Sequence, residues 1–392
     1  MSGRNRLAIG VAAVAVGGVL GAFVLNGPAK ISLSSHSDGD HHGHSSRLAS
    51  HWVFSTLNNQ NDTTFNQLLG INNRGQIVGY FGSGEQGHPN KGYQLTLSHR
   101  FSFYQNQNVP GSAQTQVIGI NDFGVSVGFW SAQNTASQTN NNFGFYAWHG
   151  HSHSVSFPTT NNSTPPVNQL LGVNDSNVAV GFYTGNKGNA HGYTYNIASH
   201  RFHSIKIHGA TSVTPSGINN NGDITGFFTG AGGVTKAFLL RSNGKLVTLA
   251  FPHASSTMGF GVNDSREVVG TYMTGSGDNA KSFGFTWTSH AGFAAVNDPL
   301  GPGATTINGV NNAGDIVGFY TDAAGNTDGF LLAASHHAAA FAPPLSPAVT
   351  VTVTPTPTMS AKAITAPSAT PSVTPTAATT TAPVASAGPT HF

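Results

Sequence analysis

The sequence predicts an all-β fold: a six-bladed β-propeller with four-stranded blades, closed by an N-terminal strand in the last blade and flanked by disordered ends. Three observations carry this expectation. A single motif recurs six times through the middle of the chain. Each recurrence opens a unit with room for four strands. A spare strand precedes the first unit, and the sixth unit lacks one.

Composition sets the class. Charged residues make up 8% of the 392 residues, against roughly 25% in an ordinary globular protein. Gly (49) and Phe (25) are abundant, and Glu occurs only as Glu85 and Glu267. Between the ends, β-branched, aromatic, Gly and Asn residues dominate, the balance of short strands joined by tight turns. A net charge of +2 with scattered Lys and Arg excludes a nucleic-acid surface. Without cysteine there is no disulfide, thiolate metal site or cysteine nucleophile. No cofactor motif is present, so no cofactor is expected.

Residues 1–30 read as an export segment. Arg4 and Arg6 precede the uncharged stretch Leu7–Leu25, and Gly27-Pro28-Ala29 offers small residues for cleavage. The stretch, 19 residues, is long for a signal core and just reaches the span of a membrane helix. A cleaved signal peptide and an uncleaved anchor are both open. Either places the rest of the chain outside the cell, and the membrane is a partner only through an uncleaved segment. Residues 31–50 form a His- and Ser-rich linker in which His36, His41, His42 and His44, with Asp38 and Asp40, are candidate ligands for a borderline metal ion. The alternative is a spacer with incidental histidines. Residues 336–392 are a Pro-, Thr- and Ala-rich tail with too little to bury, hence expected to be disordered.

Residues 51–335 hold the repeat. Its first copy is Gly70-Ile71-Asn72-Asn73-Arg74-Gly75-Gln76-Ile77-Val78-Gly79-Tyr80-Phe81. Further copies start at Gly119, Gly172, Gly217, Gly261 and Gly309, spaced 44 to 53 residues apart. Asn-Asn/Asp-x-Gly between two apolar strand ends is a hairpin turn, with Asn or Asp capping its own backbone. The glycine after Ile77-Val78 lies inside a strand, which signals close backbone approach or a bulge; the expectation is that it lets neighbouring sheets pack near a central axis. A variable loop then leads to a small-aromatic pair opening a third strand: Gly92-Tyr93, Gly144-Phe145, Gly192-Tyr193, Ala237-Phe238, Gly284-Phe285 and Gly329-Phe330. A fourth strand follows in every unit but the sixth. The segment His51–Leu57 has strand character and no unit of its own, so it is expected to complete blade six. A four-stranded sheet of this size cannot bury both faces alone, and stacking six around an axis does.

At these residues the chain resembles the HAF-repeat proteins of bacteria, whose units pair Gly-x-Asn-x-x-Gly-x-Val-Val-Gly with a downstream His-Ala-Phe. The resemblance covers all six copies and is specific in the first element. In the second, the slot before the small-aromatic pair holds Lys91, Phe143, His191, Lys236, Phe283 and Asp328, so only blade three keeps His. The resemblance implies β-rich repeats and a surface or secreted location, with no biochemical activity to transfer.

Acids are few enough to audit. Asp122, Asp175, Asp223, Asp264, Glu267 and Asp315 fall in the repeat's own hairpin, where turn formation explains them. With strands running outward from the axis, the second-to-third and fourth-to-next-first connections share one face of the ring. Glu85, Asp278, Asp298, Asp322 and Asp328 lie in those connections on blades five, six and one, with His88 and Lys91 nearby. They form a candidate ligand-binding sector, against the alternative of solvated loop charges. The largest insertions, 131–142 and 158–169, lie on the same face, rich in neutral amides and bordered by Trp130 and Phe143. Rings beside amides suit a glycan or peptide. His149, His151 and His153 sit at the turn into the last strand of blade two. Serine-nucleophile, phosphate-loop and zinc-protease signatures are missing. The sequence therefore points to an exported, non-catalytic binding propeller at the cell surface or beyond it, its partner a glycan or envelope component. A glycan hydrolase or lyase on the loop face and a structural wall protein are the alternatives.

Overall fold

A computed structural model describes residues 52–85, 87–97, 102–132, 142–158, 167–185 and 187–334. The export segment, the His-rich linker with its candidate metal ligands, and the Pro-rich tail lie outside the described residues.

The chain forms six four-stranded antiparallel sheets. Strand β1 (Trp52–Thr56) comes first and joins the last sheet. Blade one is β2 (Asn66–Ile71), β3 (Gln76–Phe81), β4 (Lys91–Leu97) and β5 (Ser102–Asn106). Blade two is β6 (Gln114–Ile120), β7 (Ser126–Ser131), β8 (Phe143–Trp148) and β9 (His151–Val155). Blade three is β10 (Asn168–Val173), β11 (Val178–Thr184), β12 (Ala190–Asn196) and β13 (Arg201–Ile205). Blade four is β14 (Ala210–Ile218), β15 (Ile224–Gly230), β16 (Thr235–Leu240) and β17 (Leu246–Leu249). Blade five is β18 (Ser256–Val262), β19 (Val268–Thr274), β20 (Lys281–Thr288) and β21 (Gly292–Val296). Blade six is β22 (Thr305–Val310), β23 (Ile316–Thr321) and β24 (Thr327–Ala334), with β1 as its outer strand. Among the described residues there is no α-helix, only a 3-10 turn at Gly277–Asn279.

The expected closure is present: Trp52 to Thr56 pair with Ala334 to Phe330. The two ends of the propeller sequence therefore hold one another in a single sheet, and no blade is left with an orphan inner hairpin.

The motif's two glycines have separate tasks. In every blade the register slips by one residue just before the first glycine, for example between Leu68 and Gly70. This bulge swings the inner strand toward the second: a Cβ at Gly79 would stand 2.0 Å from the Gln67 carbonyl oxygen, and Gly128, Gly181, Gly226, Gly270 and Gly318 meet the same obstacle. The second glycine thus serves its own blade, contrary to the expectation. The first glycine brings blades together. A Cβ at Gly70 would lie 3.1 Å from the Cα of Gly119, one at Gly119 3.0 Å from Gly172, and one at Gly309 3.2 Å from Gly70. Six inner strands meet around the axis at a height only glycine allows.

Outward from the axis, the aromatic of each small-aromatic pair fills the gap between blades. Tyr93, Phe145, Tyr193, Phe238, Phe285 and Phe330 are all buried at 2% exposure or less. Burial of one such ring contributes about 2–3 kcal/mol, so the second repeated signature is the core of the ring.

Candidate functional site

The ring has two unlike ends. At one end the six Asn-Asn/Asp turns converge on the axis. Oδ1 of Asn72 accepts hydrogen bonds from the backbone N–H of Arg74 and Gln76, shaping its own turn. Its Nδ2 donates to the carbonyl of Asn121 in the next blade at 2.8 Å. Asn121, Asn174, Asn219 and Asn263 each donate likewise to the following blade, at 2.9 to 3.1 Å, and Asn311 returns to Asn72 at 3.4 Å. The second motif position builds another circle in which the backbone N–H donates to the next blade's side chain: Asn73 to Asp122, Asp122 to Asp175, Asp175 to Asn220, Asn220 to Asp264, Asp264 to Asn312 and Asn312 to Asn73, all at 2.7 to 2.9 Å. Two closed hydrogen-bond rings therefore belt the propeller around a small axial depression of about 70 Å³.

These rings correct the reading of the hairpin acids. Asp122, Asp175 and Asp264 do not cap their own turns; they receive the neighbouring blade's N–H. Burial raises the pKa of Asp175, with the adjacent Asp122 charge adding to it. Asp223 also looks outward, ion-paired with Arg266 of blade five at 2.7 Å. The sequence carries a cue to inter-blade work: Asn is invariant at the first position, whereas the second is Asn in three copies and Asp in three.

The other end carries the long connections. In each blade, the last aromatic of the motif faces across the ladder to the slot before the small-aromatic pair: Phe81 to Lys91, Trp130 to Phe143, Tyr183 to His191, Phe228 to Lys236, Tyr272 to Phe283 and Tyr320 to Asp328. Cross-strand neighbours share a blade face, so each blade holds one aromatic station with its own chemistry, its tyrosine buried in blades five and six. Trp130 and Phe143 are half-buried with ring centroids 4.8 Å apart, and Trp130 Nε1 donates to Ser154 Oγ. Tyr183 stacks on exposed His191 at 5.1 Å, and Tyr272 on Phe283 at 5.3 Å. The candidate residues Trp130, Phe143, Lys91 and Asp328 are thus four of the twelve station members. Most of the insertions beside Trp130 and Phe143 lie outside the described residues.

The acidic sector divides. Asp298, Asp322 and Asp328 come together around Tyr320, whose own burial, with their charges adding to it, pushes its hydroxyl up to about 12. Burial moves Asp298 up to about 6, with a contribution from the Asp328 charge. Asp328 is raised by burial and by Asp322, against the bond that it accepts from Asn58 Nδ2 at 2.6 Å. Asp322 accepts from the backbone N–H of Ala324 and Asn326 and holds its own turn. On blade one, Glu85 is exposed in its loop, and His88 pairs with Asp62 at 3.7 Å rather than with a member of the sector. Lys91 Nζ donates to the Ala113 carbonyl. Asp278 falls in the 3-10 turn of blade five, and its side chain is outside the description. Tyr320 and Asn58, neither of them charged, are the members that an audit of acids misses.

No described cluster of His, Asp and Glu can hold a metal ion. In blade two, His151 and His153 are exposed on β9, and His153 stacks on Tyr146 at 4.8 Å.

The sequence matches no known protein-family profile, and no curated protein matches it. Solved structures match the chain at low similarity. A fungal lectin from Aleuria aurantia, with a six-bladed β-propeller fold and a novel fucose recognition mode, is 10% identical; the match covers 69% of this chain and 93% of the lectin, with a TM-score of 0.44. The SapL1 lectin in complex with α-methyl fucoside is 10% identical over 66% of this chain and 89% of its own, TM-score 0.41. TolB from Acinetobacter baumannii is 10% identical over 66% of this chain, TM-score 0.41, and this chain spans 63% of TolB's length.

Proposed function

We propose that this chain is an exported, non-catalytic binding module that holds a glycan on the loop face of its propeller. The observation that carries the reading is the half-buried Trp130–Phe143 pair at 4.8 Å. A ring face offers dispersion contact to the C–H face of a sugar, and neutral Asn, Gln, Ser and Thr in the flanking insertions supply donors and acceptors. The basic start followed by an apolar stretch supports export, and the resemblance to HAF-repeat proteins agrees with a place outside the cell.

A glycan hydrolase or lyase needs two carboxyl groups that reach the substrate. On the loop face Asp298 and Asp328 are only 2% and 8% exposed, and at the axial depression Asp122, Asp175 and Asp264 are engaged as acceptors in the inter-blade ring. Binding therefore has more support than catalysis.

A glycan array probed with the purified protein tests the proposal. Binding to at least one glycan class is expected, weakened tenfold or more by Trp130→Ala in a variant whose folding is verified by far-UV circular dichroism. An array negative throughout overturns the glycan reading; binding to peptide arrays alone reassigns the ligand class.

A further inference from the structure

We propose that Asp298 and Asp328 form a proton-operated clasp on the strand that closes the ring. The argument begins with equivalence between blades. The backbone N–H of Phe157 donates to Asn168 Oδ1, that of Phe251 to Thr257 Oγ1, and that of Asp298 to Thr305 Oγ1. Each acceptor stands four residues before its blade's axial glycine, so these three residues occupy one position in the entry loops of blades three, five and six. In blade three Phe157 stacks on Tyr183 at 4.5 Å, and in blade five Phe251 stacks on Tyr272 at 3.6 Å. Across the ladder from those tyrosines stand His191 and Phe283. Blade six keeps the tyrosine, Tyr320, and replaces both flanking residues with acids, Asp298 and Asp328.

That replacement sits where the N-terminal strand docks. Thr56 Oγ1 lies 2.9 Å from the Tyr320 hydroxyl, Asn58 Nδ2 donates to Asp328, and Asn58 Oδ1 accepts from the Gly329 N–H. Phe54 of β1 covers the same cluster, 5.4 Å from Phe330. Asp298 receives a single N–H, from Leu300. The charged groups around it are acids: Asp328 on β24 and Asp322 in the loop before it. Lys281 of β20 lies along Gly303 in the same entry loop but makes no ion pair with Asp298 or Asp328 among the described residues. Asp62, in the loop after β1, is taken by His88. Two nearly buried carboxyls without a cation favour the protonated state.

The sign follows from linkage. Asp298 holds its proton more tightly folded (about 6) than an ordinary Asp does, so its contribution is fully present below about pH 4 and is lost as pH rises to about 6 and beyond. Above that range two charges face each other under β1, and opening the strand rehydrates them. Mild acid closes the clasp; neutral pH loosens it.

Hydrogen exchange of the β1 amides in the whole protein, corrected for intrinsic rates, tests this at about pH 4.5 and 7.5. Protection is expected to fall by roughly twenty-five-fold across that range in the wild type. Asp298→Asn, which keeps an acceptor for the Leu300 N–H, is expected to reduce the change at least tenfold. Equal pH dependence in the two proteins overturns the proposal. If Asp298→Asn does not fold, carboxyl carbon NMR of the wild type decides: a midpoint near 6 supports the clasp, and one near 4 overturns it.

Discussion

Asn72 and its five counterparts perform two tasks that only a carboxamide combines. The oxygen accepts from the residue's own turn, while the nitrogen donates to the next blade's carbonyl. A carboxylate supplies the first and opposes the second, because an anion would then face a carbonyl oxygen. The following position supplies an acceptor for the preceding blade's N–H, which Asp and Asn both provide, and its Asn copies also donate to a neighbouring Asp carboxylate: Asn73 to Asp122, Asn220 to Asp175 and Asp264, Asn312 to Asp264. Asn121→Asp is therefore expected to cost about 2 kcal/mol in urea denaturation, the scale of a buried group left unpaired, whereas Asp175→Asn, which keeps the acceptor for the Asp122 N–H and removes the charge beside Asp122, costs much less. Equal costs would show that the donor side of the inner ring is idle. The glycines admit a similar test. Gly79→Ala places a Cβ 2.0 Å from a backbone oxygen and is expected to cost about 3 kcal/mol, the upper range for overpacking. Gly232→Ala meets nothing within 4 Å and serves as the control, expected to be near neutral.

At the scale of the strand, β1 is the element whose place is set by the fold rather than by its neighbours in sequence. It pairs with β24, over 270 residues away. Phe54 anchors it, 8% exposed against Phe330, in the position that Phe202 holds in blade three and Phe293 in blade five. Phe54→Ala is expected to cost about 3–4 kcal/mol, within the range for a buried aromatic, and to lower exchange protection in β22 to β24 before the other blades. Loss of protection spread evenly over all six blades would contradict a local closing role. The strand was legible in the sequence because it was surplus: His51–Leu57 has the composition of a strand and no hairpin partner nearby. The four strands of each blade were legible for the same kind of reason, since turn and aromatic signatures mark their limits. The aromatic stations were only half legible. Trp130 and Phe143 stood out as rings beside amide-rich insertions, but that Phe81 faces Lys91 and Tyr320 faces Asp328 depends on ladder register, which a variable loop conceals. Asp298, Asp322 and Asp328 were found as acids on one face, while Glu85 could not be separated from them without knowing that its loop leaves it in solvent.

Across the whole molecule the seam between blades six and one differs from the other five junctions. Every other pair of blades is joined by continuous chain between its outer and inner strands, as well as by the two axial rings. At the seam, the connection from β1 into blade one carries that continuity, and it holds only as long as β1 stays paired with β24. The inner ring is also longest there, 3.4 Å from Asn311 to Asn72 against 2.8 to 3.1 Å elsewhere. The seam is the place where closure is a separate event, and a covalent link makes that measurable. Val53 and Ala333 are directly opposed in β1 and β24, and the protein has no cysteine of its own to compete. A disulfide formed by the pair Val53→Cys and Ala333→Cys closes a loop of about 280 residues, for which chain entropy gives about 5 kcal/mol. The same bond across Ala147 and Ser152, opposed within blade two, closes only a hairpin and gives about 2 kcal/mol. Urea denaturation of the two oxidised variants, each against its reduced form, is expected to favour the seam by a factor of two or more. Equal gains would mean that β1 stays docked in the unfolding ensemble, and that the ring opens somewhere other than where its two ends meet.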